Sequence, residues 1–402
     1  MMQNNKAPVR HPRNVERRLR RRRALRITLL VVLSVVIIAA SLLAMFWIFY
    51  RPQKGNTTRI DGGGVSRVTD EGGNTIETTS PEREVGRKEN FYNYLVLGRD
   101  NVGLNTDVFM LVSFDIDGKA ISICQIPRDT YVEIDGRAYK INAAYGHMHS
   151  VAYSNGEKDT EDAGMRGLMQ LLERDMGVVI DDYALINIAG FRNIIDLLGG
   201  IEINVPCDMD YDDPDQDLYI HLKKGYQTLD GDKAEQFVRF RADYAQADLG
   251  RQDAQKLFIS AVIRKLKNSI SISTITGMLS EISKNVKTSV SALDLAYYVK
   301  EFYLIDNAAI TFLDFPGAAL RDNVTYGAWY YVINRPAIYQ LVNRYFNVWS
   351  EDIPEESFDP DRAFVKENKS HFLEVYDAPA MAEETHNAQD LIESGISIPL
   401  NP

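Results

Sequence analysis

The stretch "YLVLGRDNVGLNTDVFMLVSFDIDGKAISICQIPRD" (residues 94–129) decides the fold. It contains three short apolar runs, "YLVLG" (94–98), "DVFMLVSFDI" (107–116) and "AISICQIPRD" (120–129), separated by turn residues. Runs of this length, rich in β-branched and aromatic residues, read as strands, and "DIDGK" (115–119) reads as a hairpin turn. Downstream, "AGMRGLMQLLERD" (163–175) has helical periodicity, which returns at 190–198 after the strand-like "YALINI". "IEINVP" (201–206) reads as a further strand, and 230–240 and 248–268 read as helices. A helix near 292, a strand at 309–317 and a helix at 335–346 follow. Strands alternating with helices predict an α/β domain layered around a sheet.

The 402 residues carry a net charge of −11, which hides an asymmetry. Residues 1–51 hold eleven Lys/Arg and one acid, about +10, and the remainder holds 34 basic and 55 acidic residues, about −21. An acidic bulk excludes nucleic acid as the main partner. The basic part is a cytoplasmic segment (1–26) ending in "RRLRRRRALR", followed by twenty-four uncharged residues (27–50). That run is long enough to span a bilayer, and the arginines place its N-terminus in the cytoplasm and the rest of the chain outside. It is too long for the core of a signal peptide, and no small-residue cleavage site follows. Residues 51–90 are expected to be a flexible stalk, 91–346 the extracytoplasmic domain, and 347–402 an acidic, disordered tail. Two cysteines make no disulfide framework, and Cys124 reads as a core residue.

The chemistry-bearing residues are arginines and aspartates. Asp100 follows one strand and Asp107 begins the next, so a loop brings two carboxylates together as a half-cage for Mg²⁺. Local turn hydrogen bonding is the plainer reading of that segment. Arg128 and Asp129 fall at the C-terminal edge of a strand, where open α/β sheets bind ligands, with Lys140 and Asn142 nearby. The densest segment is "RFRADYAQADLGRQDAQ" (239–255). Asp248 resembles a helix N-cap, which sets Arg251 in a first turn whose dipole favours anions rather than cations. An arginine there makes sense if an anion joins it. Arg239 and Arg241, two apart, share a side if the segment is extended, and guanidinium forks suit phosphate. "CDMDYDDPDQD" (207–217) lacks the glycine and terminal glutamate of a calcium loop and reads as an acidic solvent loop. His147 and His149 read as surface loop residues. No nucleophile elbow, Walker A loop or zinc signature is present.

Together these segments resemble the LytR-CpsA-Psr family of cell-wall glycopolymer transferases. The matching pieces are "NYLVLGRDN…NTD", "IPRDTYVEI", "KINAAYGHM", "INIAGFRNIIDLLGGIEINVPCDMDYDDP", "LDGDKAEQFVRFR" and "DLGRQDAQ", in order over about 91–268, behind a membrane anchor. The resemblance implies a three-layer α/β/α domain with a central mixed sheet, preceded by one transmembrane helix, and an apolar tunnel for a polyprenyl chain. It implies transfer of a glycopolymer phosphate from an undecaprenyl-pyrophosphate carrier to peptidoglycan at the surface of a Gram-positive-type membrane. Asp100 and Asp107 match the Mg²⁺-associated aspartates, a site that Mn²⁺ could also fill. Arg128, Arg239, Arg241 and Arg251 match the pyrophosphate-binding arginines, and Asp248 matches the acid near the last of them, with Arg128, Asp248 and Arg251 as the catalytic set. Many members carry an arginine shortly after the first aspartate; here Arg99 precedes it and is the candidate substitute. "LFISAVI" (257–263) could line the tunnel or build an ordinary core. A non-catalytic polyprenyl-pyrophosphate binder and a pyrophosphohydrolase use the same arginines; the Asp100/Asp107 pair favours catalysis.

Overall fold

The computed structural model describes residues 50–52, 54, 59–61, 65–69, 75–79, 83–99, 104, 106–214, 218–242, 244, 248–269, 278, 284–321, 328–354 and 385–394. The basic segment and, apart from Tyr50, the expected membrane helix lie outside these residues. Among the described residues no helix is long and apolar enough to cross a membrane. The chain divides into residues 1–53 and residues 54–402, and the second unit carries the fold.

The decisive stretch forms β1 (Phe91–Arg99), β2 (Thr106–Asp115) and β3 (Ala120–Gln125), two antiparallel hairpins in register Leu95↔Leu111 and Leu111↔Cys124. At the 115–119 turn, Asp115 accepts the Gly118 N–H at 2.7 Å, and Lys119, not the glycine, takes the left-handed conformation (φ 51°). Alternation along these strands gives the sheet two different faces. On one, Leu95, Leu97, Phe109, Leu111 and Cys124 enter the main core. Helices α1 (Ile141–Ser154) and α2 (Thr160–Met176) supply its other half through Tyr145, Leu168 and Leu172. Before α1, β4 (Tyr131–Ile134) and β5 (Arg137–Lys140) form a small hairpin. Asp159 caps α2 by accepting the Asp162 N–H at 3.1 Å, and Gly177 ends it at φ 69°.

β6 (Asp182–Asn187) adds in parallel to β1, and α3 (Ile188–Leu197) starts at its end, capped by Asn187. The chain then leaves the sheet. β7 (Ile201–Val205) pairs with β10 (Gly225–Leu229), and β8 (Met209–Asp213) with β9 (Leu218–Leu222). With α3, α4 (Gly231–Arg239) and part of α5 (Asp248–Ser269) they enclose a second core around Ile203, Ile220, Phe237, Phe240 and Phe258. Residues 209–213 of the expected acidic loop 207–217 are therefore strand: Met209 is buried, Asp210 and Asp212 point outward, and His221 of β9 bridges them at 2.7 and 3.2 Å. Leu257, Phe258, Ala261 and Val262 of "LFISAVI" also pack into this second core.

β11 (Val286–Thr288) closes one edge of the sheet, and α6 (Ala292–Tyr303) covers the second face, where Tyr298 meets Tyr92, Tyr94 and Phe114 at ring separations of 5.2, 5.3 and 6.0 Å. β12 (Ile310–Leu313) pairs in parallel with β3. A hairpin of β13 (Gly317–Arg321) and β14 (Trp329–Ile333), then α7 (Arg335–Leu341), lead to a π-helical turn at Val342–Phe346.

Three expectations change. Within the 51–90 stalk, residues 59–61 pair with 83–85 and 65–69 with 75–79, and Val85 is a core residue. Within the 347–402 tail, β15 (Thr385–Asn387) joins the sheet beside β12, and α8 (Ala388–Ser394) buries Ala388 and Leu391; residues 355–384 lie outside the described set. The histidines of "YGHMH" lie on α1 rather than a loop, and His149 Nε2 sits 3.0 Å from Thr160 Oγ1 at the α2 start. The result is a seven-stranded mixed sheet, ordered β11-β6-β1-β2-β3-β12-β15. Cys124 and Cys207 are both buried and unbridged.

Candidate functional site

The two cores meet at one end of the sheet, and a cleft of about 130 Å³ opens between them. Thirteen residues line it, five of them arginines: Arg99, Arg128, Arg239, Arg241 and Arg251; Asp107 is the acid among them. They reach the cleft from separate parts of the chain, each held for a local reason.

Arg99 is the last residue of β1, at a register shift after Gly98, and its Nη1 donates to Glu161 Oε1 of α2 at 3.0 Å. Gly98 itself is a close approach, because a Cβ there would fall 3.1 Å from Val108 Cβ. Burial pushes the neighbouring Tyr145 hydroxyl up to about 12, with Glu161 adding to the effect and Arg99 opposing it, so it stays a neutral phenol. Asp107 lies at the start of β2 and accepts from Arg128 Nη1 at 2.8 Å.

Arg128 sits on a tight turn after β3. Thr130, fully buried, donates both its N–H (3.0 Å) and its hydroxyl (2.6 Å) to the Pro127 carbonyl. The Asn142 N–H binds the Arg128 carbonyl at 3.1 Å, and the Tyr331 N–H binds the Asp129 carbonyl at 2.9 Å. The turn has little freedom left, so the Arg128 side chain starts from a fixed point. Asp129 leaves the cleft and pairs with Lys140 at 2.8 Å.

Arg239 and Arg241 share the cleft, but not because the segment is extended throughout. Arg239 is the last residue of α4 and donates to Glu235 one turn earlier at 2.9 Å. Phe240 leaves the helix in an extended conformation (φ −63°, ψ 139°), is fully buried, and meets Tyr244 edge-on with rings 5.4 Å apart. The buried ring between them turns both arginines the same way. Arg251 lies in the first turn of α5 and is only 5% exposed. Gly250 lets that turn approach Tyr244, since a Cβ would fall 2.6 Å from Tyr244 Cβ. Asp248 is the first residue of α5 rather than the residue before it. Its side chain lies outside the described residues, as does all of Asp100.

The structure thus brings together Arg99, Asp107, Arg128, Arg239, Arg241 and Arg251 over more than 150 residues of sequence. It also adds residues that the sequence reading passed over. Gln255 lines the cleft one turn after Arg251, a spacing that places both on one helix face. Tyr211 and Leu218 enter from β8 and β9, and Ile188 from the start of α3. Below the arginines, the second face of the sheet presents Val96, Met110, Val112, Ala184 and Ile186, all half-buried. On the far side of α5, Lys256 is buried between Asp253 (3.0 Å) and Asp314; burial opposes its charge, but the two carboxylates hold its pKa up. Among the described residues no three potential metal ligands cluster.

A cleft lined by five guanidinium groups, above a half-buried apolar sheet face on a mixed α/β domain, offers donors for a phosphorylated head group beside an apolar surface. Residues 64–347 match the model of the LytR_cpsA_psr family, and the chain belongs to that family. It is 32% identical over 190 residues to the polyisoprenyl-teichoic acid–peptidoglycan teichoic acid transferase TagV of Bacillus subtilis, a match that spans 46% of this chain and 45% of that one. It is 30% identical over 257 residues to TagU of Bacillus cereus, with the same kind of name, spanning 62% of this chain and 76% of that one. The crystal structure of B. subtilis TagV is similar with a TM-score of 0.51 and 25% identity, over 63% of this chain and 95% of that one.

Proposed function

We propose that this protein transfers a glycopolymer phosphate, of the teichoic acid class, from an undecaprenyl-pyrophosphate carrier to peptidoglycan. The observation that carries the reading is the five-arginine cleft at the head of a half-buried apolar sheet face. One end suits a pyrophosphate and the other a polyprenyl chain, and the names of the relatives point to the same reaction class.

In the proposed reaction a peptidoglycan hydroxyl, the MurNAc 6-OH, attacks the sugar-proximal phosphorus. A P–O bond to the glycan forms, the bridging P–O bond breaks, and undecaprenyl phosphate leaves with the electron pair. Arg239 and Arg241 hold the non-bridging oxygens from the α4 side, and Arg128 and Arg251 neutralise charge on the leaving phosphate. Arg99 takes the place of the arginine that many relatives carry after the first aspartate. The hydroxyl proton goes to a carboxylate at the cleft. Asp248, three residues before Arg251 in sequence, and Asp129, which pairs with Lys140, are the two candidates for that base.

A hard cation fits the donor chemistry. Asp107 presents a carboxylate that is one-third exposed and engages Arg128 through Oδ1, and Mg²⁺ needs one or two carboxylates with phosphate oxygens and water. Asp107 with Asp100 would hold Mg²⁺ or Mn²⁺, which would supply charge neutralisation on the pyrophosphate. Residues 27–50 anchor the chain in the cell membrane, N-terminus inside and the residues after them outside.

The test is incubation of the protein with a lipid-pyrophosphate-linked glycan, peptidoglycan and Mg²⁺. A covalent glycan–peptidoglycan product is expected, and Arg241→Ala and Arg251→Ala each abolish it without unfolding the domain. Active substrate with no such product would sink the reading. Free phosphorylated glycan would mark a pyrophosphohydrolase, and retained intact lipid a non-catalytic binder.

A further inference from the structure

One glutamine lines the cleft and a second is hydrogen-bonded to it. Gln255 lines the cleft from α5, 5% exposed, and its side-chain amide is pinned at both ends. Its Nε2 donates to the Val238 carbonyl at 2.8 Å, and its Oε1 accepts from Nε2 of Gln125 on β3. A main-chain carbonyl can only accept, so the Gln255 atom facing Val238 has to be nitrogen. The Gln255 oxygen therefore faces Gln125, and Gln125 in turn has to present its own nitrogen. Turning either amide over would set oxygen against oxygen. With its oxygen satisfied by Gln125, Gln255 keeps a second N–H to donate.

Gln125 is an odd residue to find there. It is 4% exposed, faces Met110 across the ladder, and shares its side of the sheet with Ile121 and Ile123. Its own Oε1 is buried with no hydrogen-bond partner among the described residues. An apolar side chain would avoid that loss, so packing alone gives no reason for an amide. The position does give one. Met110 and Gln125 form the row next to Gly98 and Val108, which line the cleft, so Gln125 stands where the arginine end gives way to the apolar face.

We propose that Gln125 is a positioning residue of the transferase site, fixing the Gln255 amide so that its N–H faces the phosphate oxygens and its repelling carbonyl is turned away. The inference rests on the transferase reading and adds to it the element that sets the polarity of the cleft floor.

The experiment uses the full chain in detergent, reading Kd with undecaprenyl pyrophosphate as the probe, the kcat and KM of transfer with the lipid-pyrophosphate-linked glycan and peptidoglycan, and the melting temperature. Gln125→Leu removes the donor; it is expected to raise Kd and KM about tenfold, with kcat changed by less than about threefold and the melt nearly preserved. Gln125→Glu supplies a readout that a merely structural role would not move. Ionised, it can only accept and faces the Gln255 oxygen; protonated, it donates as the amide does. Its binding deficit relative to wild type should therefore shrink as pH falls from 8 to 5.5, while that of Gln125→Leu stays constant. Wild-type Kd and KM in Gln125→Leu, or a flat pH profile for the deficit of Gln125→Glu, would overturn the proposal. If Gln125→Leu does not fold, the Gln125→Glu profile alone decides. Failure of the wild-type chain to bind the probe would bring down the transferase reading and this inference together; tight wild-type binding with unaffected variants would bring down this inference alone.

Discussion

Phe240 offers a way to separate the stability of the arginine wall from its alignment. The ring is fully buried between Arg239 and Arg241 and meets Tyr244 at 5.4 Å and 88°. Phe240→Ala would cost about 3–5 kcal/mol in lost burial and cavity, enough to threaten a fold of ordinary stability. Phe240→Leu is the sharper tool. A hydrophobic exchange of similar volume costs less than about 1.5 kcal/mol, and loss of the aromatic pair about 0.5–1.5 kcal/mol. Their sum, about 2 kcal/mol, lowers the melting temperature of a domain this size by roughly 4–8 °C. Catalytic alignment is far less forgiving, since a displacement of about 1 Å can cost about a hundredfold in rate. Transfer assayed well below the melting transition should therefore show KM raised at least about tenfold, out of proportion to the small loss of stability. Differential scanning calorimetry and transfer kinetics on one preparation make the comparison. A variant that melts lower but keeps wild-type KM and kcat would refute the argument that the buried ring aims the two arginines.

Three further outcomes follow from the packing. Gly250→Ala should cut transfer more than about tenfold, because the new Cβ lands 2.6 Å from buried Tyr244 and shifts the turn carrying Arg251; a raised melting temperature with full activity, as helix propensity alone would give, would contradict it. Burial raises the Asp175 pKa, against the pull of Arg174, so the native state holds its proton more tightly than the unfolded chain does. Its contribution to stability then grows as pH falls from the raised value towards the ordinary carboxylate range, and Asp175→Asn, neutral at every pH, should gain on wild type as pH rises through that window; denaturant titrations with a pH-independent difference would exclude this. Truncation after Glu384 removes β15 and α8, strips the cover from the β12 edge and takes away fully buried Ala388 and nearly buried Leu391; the shortened chain should melt at least about 5 °C lower and self-associate, and an unchanged, monodisperse protein would show that the docked segment adds nothing.

How far the sequence could be read depended on the range of the information. The three strands of 94–129 are legible because their apolar runs and turns are local, and the caps of α2 and α4, Asp159 and Asp230, sit in plain view. Helix α1 is not, since Lys140 at its start makes no side-chain cap and its first turn carries no acid. β8 was hidden by charge: its period-two pattern of Met209 and Tyr211 inward, Asp210 and Asp212 outward, reads as an acidic loop until β9 is seen beside it. β15 depends on pairing with β12, more than seventy residues away, and no local signal announces it. Within the site, residue type did most of the work. Arginines flanking a buried phenylalanine and opening a helix are conspicuous, whereas Gln255 could be found only by following the face of Arg251 one turn on. Gln125 could not be found at all, because its single partner lies 130 residues downstream.

Arg251 shows why the site is better understood as built for an anion than as a charged surface that happens to be concave. A solvated surface arginine keeps its hydration and costs nothing; this one is 5% exposed, and it stands in the first turn of a helix whose dipole repels it. Desolvating a cation is expensive, and here it is done beside four more guanidinium groups. Among the described residues, Glu161 pairs with Arg99, Glu235 is shared between Arg239 and Arg192, and Asp107 holds Arg128. Each of these pairs orients a guanidinium, a group with five N–H donors of which one such contact uses one. A pyrophosphate among these guanidinium groups would relieve their mutual repulsion. On the transferase reading proposed above, the groups that would neutralise the leaving phosphate are already in place and need no rearrangement as the bond breaks.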